Sequence, residues 1–142
     1  MLLVRVEAEV RPTEDIEKVK KALSNLFNLE NYRVAEVGTY KVIIGESSSI
    51  VSLLKIREII VRERIADTVR RILSRGTVDK YLSFKINKQA AYVGKLSLVE
   101  EDRESSMGPI SVFIEANDVK RLIDWLAPNT PEKVASEVPK DL

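Results

Sequence analysis

The chain has 142 residues, of which 44% are apolar and 32% charged; that suits one buried core and does not suit a disordered or low-complexity chain. It holds 23 basic and 22 acidic residues, a net charge of +1, and neither cysteine nor histidine. Disulfides, thiolate chemistry, Cys-ligated metal sites and every Ser-His or Cys-His catalytic arrangement are thereby excluded, and the expectation is a protein that is not an enzyme and uses no cofactor.

The apolar start is broken by Arg5 and Glu7 before a signal-peptide core or membrane span can form, so the expected location is the cytoplasm. Val4, Val6, Ala8 and Val10 alternate with Arg5, Glu7, Glu9 and Arg11, the period of a strand with one wet face. Pro12 ends it, and Thr13 is placed to cap a helix whose inner stripe is Ile16, Val19, Ala22, Leu23, Leu26 and Phe27. Tyr32 to Val37 and Tyr40 to Ile44 form a hairpin around Gly38-Thr39. Ser47, Ser48 and Ser49 offer a cap for a long helical region that runs to Arg75, breaks near Val61 to Glu63 and stops at Gly76.

Leu82, Phe84 and Ile86 mark a fourth strand, and Leu96 and Leu98 a fifth beyond an irregular segment, Asn87 to Gly94. The acidic run Glu100 to Glu104 reads as a solvated turn before Gly108-Pro109. Ile110, Val112 and Ile114 form a sixth strand, and Asn117 caps a last helix that ends at Pro128. The expected fold class is α+β: a mostly antiparallel sheet with helices packed on one face, in the order βαββααβββα. Residues 1–128 make one domain and 129–142 a loosely held tail.

Charge is unevenly spread. Residues 55–95 hold eleven Lys and Arg against four Asp and Glu, a net +7, while residues 96–142 carry a net −5. Two readings stay open: the basic centre faces nucleic acid, or the acidic third folds over it. Within the long helix Arg64, Arg71 and Arg75 align opposite the apolar face, with Asp67 in reach of Arg64, Arg70 and Arg71, so Arg75 is the cation with no local partner. Lys85 and Lys95 flank the irregular segment and add phosphate-contacting charge. Within it Lys88 is placed to meet phosphate, Gln89 a base edge or ribose hydroxyl, and Tyr92 an unpaired base. The alternative is a bulge or corner with Tyr92 in the core and Gln89 satisfying backbone groups. The helix from Ile50 to Val61 is apolar around most of its circumference, which implies burial on two sides or contact in a homodimer.

The strings Arg62 to Thr68, Asn87 to Gly94, Gly108-Pro109-Ile110 and Asp124 to Pro128 together resemble a family of small uncharacterised archaeal proteins. That resemblance implies a fold like that of the large-subunit ribosomal protein that contacts 5S ribosomal RNA, with relatives described as RNA-binding or exosome-associated and as homodimers. The sequence reading is therefore a non-catalytic RNA-binding protein that reads backbone charge and shape, with a homodimeric interaction or assembly module as the alternative.

Overall fold

The computed structural model describes residues 1–100, 108–130, 138, 139 and 142. Seven strands form one antiparallel sheet: β1 (Leu2–Val10), β2 (Asn31–Val37), β3 (Tyr40–Ser47), β4 (Thr77–Val78), β5 (Tyr81–Ile86), β6 (Leu98–Val99) and β7 (Ile110–Ala116). The order across the sheet is β2-β3-β1-β7-β5-β4, and β6 also pairs with β5. Helices α1 (Ile16–Leu26), α2 (Leu54–Arg62), α3 (Ala66–Arg75), α4 (Lys88–Tyr92) and α5 (Val119–Leu126) supply the second layer.

The two-residue alternation of β1 decides which face is covered. Leu2, Val4, Val6, Ala8 and Val10 are buried with the inward residues of β7 and of helices α1, α2 and α5, forming one core cluster. Leu3 and Arg5 emerge on the other face. α1 packs on β1, α3 on β5 and α5 on β7, while α2 lies against α1, α3 and α5. The apolar excess of α2 is resolved within the chain, since Ile56, Ile59 and Ile60 are buried there, although Leu54 and the preceding Val51 stay exposed.

Local chemistry sets the boundaries. Val37 pairs with Tyr40, so the hairpin loop is two residues, and Gly38 takes the positive φ of 60° that such a turn needs at its first position. Ser49 caps a turn of 3-10 helix at Ile50–Leu53 that leads into α2. The long helical region breaks at Glu63 to Ile65, where Arg64 adopts φ 57°, so Arg64 stands outside α3 and not in one stripe with Arg71 and Arg75. Asp15 caps α1 in place of Thr13, and Asp118 caps α5 in place of Asn117. Two short elements lie outside the expected order: β4, too short to show a period, and α4, a helical turn where an irregular segment was expected.

Gly76 ends α3 against the edge of β5, where the Ser83 amide donates to the Gly76 carbonyl at 3.0 Å. A Cβ at Gly76 would overlap the Ser83 carbonyl oxygen. Gly76→Ala is expected to lower stability by about 1–3 kcal/mol through forced backbone movement, read as a shift in urea midpoint. The Met1 ammonium donates to the Leu142 carbonyl at 2.6 Å, and Leu142 is buried. Glu101 to Glu104 of the expected acidic turn, and residues 131–137, 140 and 141, lie outside the described residues. No helix among the described residues is long and apolar enough to cross a membrane.

Candidate nucleic-acid interface

Several cations of the basic centre turn inward. Arg57 donates through Nε to the Trp125 carbonyl at 2.8 Å, and its guanidinium lies 5.2 Å from the centre of the Trp125 ring. Arg70 pairs with Asp124 at 2.6 Å and donates to the Ala127 carbonyl at 3.2 Å. Together they fasten the end of α5 to α2 and α3. Lys55 donates to the Ser24 carbonyl at 2.7 Å.

Lys88 is fully buried, and the expectation that it meets phosphate is corrected accordingly: an ammonium with no exposed surface cannot reach an external anion. Its Nζ donates to the Glu9 carbonyl at 2.6 Å and to Glu14 Oε1 at 3.1 Å, across the N-terminal approach to α1. Glu14, with 5% of its side chain exposed, also accepts from the Arg11 amide at 2.9 Å and from the Tyr92 hydroxyl at 2.8 Å. The Tyr92 hydroxyl is thus committed inside the protein and its ring is half-buried. Asn87 caps α4 by accepting from the Ala90 amide, Asn25 of α1 donates to the Ala91 carbonyl at 2.9 Å, and Gly94 leaves the helix at φ 73°. The segment from Asn87 to Gly94 is a plug that locks α4 to α1.

Electrostatics in this plug follow from burial. Burial pushes the Glu14 carboxyl up, but the donors from Arg11, Tyr92 and Lys88 outweigh it and hold the group below its ordinary 4.5. Burial draws the Lys88 ammonium down, with Glu14 pulling it part of the way back. Tyr92 is pushed up to about 12 by burial and then by its bond to Glu14. A carboxylate whose folded value is depressed stabilises the fold above its unfolded value, and that contribution is lost as pH falls through the folded value. Stability is therefore expected to decline as pH drops below 4.5, with a shallower decline in Glu14→Gln, measured by chemical unfolding at successive pH values.

The remaining expected residues divide between two regions. Arg71 pairs with Glu100 Oε1 at 3.1 Å and Arg75 with Oε2 at 3.9 Å, all three exposed. The Arg71 hydrogen bond, then its charge, holds Glu100 below the usual carboxylate range. Arg75, Glu100 and Lys85 line one hollow of about 360 Å³ at the edge of β5, with Ile72, Gly76 and Phe113. Arg71, Arg75 and Lys85 are thereby brought together. Arg64 sits at the opposite end of α3, beside Asp67 and Pro128. Gln89 is exposed on α4 and Lys95 is exposed in the loop that follows it.

Sequence reasoning passed over the sheet face beside this hollow, which no helix among the described residues covers. Phe113 and Tyr81 are 44% and 59% exposed there, and Arg5 is the direct cross-strand partner of Phe113. The signal was present: if Val112 and Ile114 face inward, Phe113 must face outward.

The fold and hollow define a small α+β protein whose sheet is covered on one side, with a cationic edge on α3 and β5. Over residues 3–116, from β1 to the end of β7, the chain matches a family described as RNA binding. It is 42% identical to a UPF0201 protein of Sulfurisphaera tokodaii, over 94% of this chain and 92% of that one. It is 41% identical to a UPF0201 protein of Saccharolobus solfataricus across the full length of both. The crystal structure of a UPF0201 protein from Methanococcus jannaschii superposes with a TM-score of 0.76 at 30% identity, covering 95% of this chain and 99% of that one. The chain belongs to the UPF0201 family and to the family described as RNA binding.

Proposed function

We propose that the protein is a non-catalytic RNA-binding protein that takes phosphates along Arg71, Arg75 and Lys85. The observation that carries this is the convergence of these cations on one edge of the sheet, within the span matched to the RNA-binding family. Glu100, shared by the two arginines, is the group a phosphate would displace. Arg64, Gln89 and Lys95 are exposed as well and are further candidate contacts.

The test is fluorescence anisotropy with labelled RNA across salt. About three phosphate contacts to unpaired RNA give a log-log slope near −2, so affinity is expected to fall about 20-fold between 50 and 200 mM salt. No binding, or binding indifferent to salt, overturns the reading.

A second reading, a homodimeric assembly module, draws on β2. This seven-residue strand forms one edge of the sheet, with Tyr32, Val34 and Val37 all exposed. Unpaired edges template strand addition. A concentration-dependent dimer in sedimentation, lost in Val34→Lys, is the result this reading requires.

A further inference from the structure

Resting on the RNA-binding reading and deepening it, we infer that the uncovered sheet face is a stacking platform for unpaired bases, so that the ligand is single-stranded RNA. Its centre is a register feature. Phe113 on β7 lies directly between Arg5 on β1 and Ser83 on β5, while Tyr81 is paired with the next outward residue of β7, Glu115. Phe113 and Tyr81 are diagonal neighbours on one face, about 7–8 Å apart by sheet geometry. Two rings at that spacing can each take one base of an extended strand, since every base has a π-face.

The surroundings orient such a strand. Tyr81, Phe113, Leu3 and Val78 are all exposed around a second hollow that shares Gly76, Ser83 and Phe113 with the cationic one. Gly76, with no side chain, leaves the rim between the two hollows low. Charge is segregated across that rim. Arg75 and Lys85 outnumber Glu100 in the first hollow, whereas in the second Glu115 lies beside Tyr81 and its one cation, Arg5, is paired with Glu7 at 2.6 Å. Phosphates are favoured on the α3 side and repelled from Glu115, which turns the bases onto the rings. Exposed aromatics next to a cationic edge match a single-stranded polyanion with flat apolar bases. They do not match a duplex, whose bases are already stacked.

The experiment compares a 12-nucleotide unpaired RNA with a 12-base-pair RNA duplex by anisotropy, using the full chain and the variants Phe113→Ala, Tyr81→Ala, Phe113→Trp and Arg71→Glu with Arg75→Glu. Both ring sites are exposed, so circular dichroism and thermal midpoint should stay near wild type and separate binding from folding. The unpaired RNA is expected to bind at least tenfold tighter than the duplex. Each alanine should weaken it roughly 5- to 150-fold with the salt slope kept, because stacking and not charge has been removed. Phe113→Trp should keep affinity and show fluorescence quenching on RNA addition, against a native Trp125 that is buried. Equal affinity for duplex, or alanine variants without effect while the double charge reversal abolishes binding, overturns the platform and leaves the RNA-binding reading standing. Absence of RNA binding by the wild type overturns both. A dimer in sedimentation that Phe113→Glu dissociates assigns the patch to a second copy and overturns the platform.

Discussion

Replacing Lys88 with methionine is expected to lower the unfolding free energy by about 3–5 kcal/mol, the loss that follows when one partner of a buried ion pair is removed. The pair is 0% and 5% exposed on its two sides, so the abandoned Glu14 carboxylate cannot be rescued by water. Methionine fills nearly the same volume, which confines the effect to charge and hydrogen bonding. Glu9 also loses the donor to its carbonyl. For a domain near this size the drop corresponds to about 10–15 °C in melting temperature.

The companion variants separate the charge from the packing. In Lys88→Met with Glu14→Gln the neutral amide still offers its one oxygen to the Arg11 amide, its NH2 faces the Tyr92 oxygen as a donor where Glu14 Oε2 accepted from the hydroxyl, and no buried charge is left alone. The double variant is expected to be more stable than Lys88→Met, giving a favourable coupling in a double-mutant cycle. Equal loss in both would mean that the Lys88 bond to Glu9, and not the ion pair, sets the cost.

The legibility of this chain follows the range of the interactions. Period-2 alternation in β1, β5 and β7 is local, so the strands and their covered face could be read from Val4, Val6 and Ala8 or from Leu82, Phe84 and Ile86. The helix break was read within about two residues, because the apolar stripe changes face where Arg64 leaves the helix. Capping residues slipped by one or two positions, since Thr13 and Asp15, or Asn117 and Asp118, are equally capable acceptors. Partnership was not legible. Lys88 finds Glu14 across 74 positions of chain, and Arg57 and Arg70 reach the last helix across 68 and 54. A lysine flanked by polar residues looks like surface until its partner is known. The string from Asn87 to Gly94 therefore looked like a site, and it is a fastening. Phe113 was passed over although its place in the alternation, between the inward Val112 and Ile114, puts it outside.

Charge reversal at Arg71 and Arg75 together is expected to reduce affinity for unpaired RNA roughly 100-fold at moderate salt. Two charge-assisted contacts are lost, each worth about 1–2 kcal/mol after allowance for exposure, and repulsion replaces them. The salt slope should shrink from near −2 to about −0.7, because only Lys85 would still release a counterion. Stability should stay near wild type, since the contacts to Glu100 are exposed ion pairs. Arg70→Ala is the opposite control: its guanidinium holds Asp124 and the Ala127 carbonyl, so melting temperature should fall while the salt slope persists. Arg64→Glu, at the other end of α3, tests how far the surface extends. If it weakens RNA as much as the double reversal, binding is a diffuse response to the basic centre and the edge of β5 has no special part in it. If only Arg71 and Arg75 respond, the relevant quantity is the few cations that the fold leaves facing outward together, not the net +7 of residues 55–95.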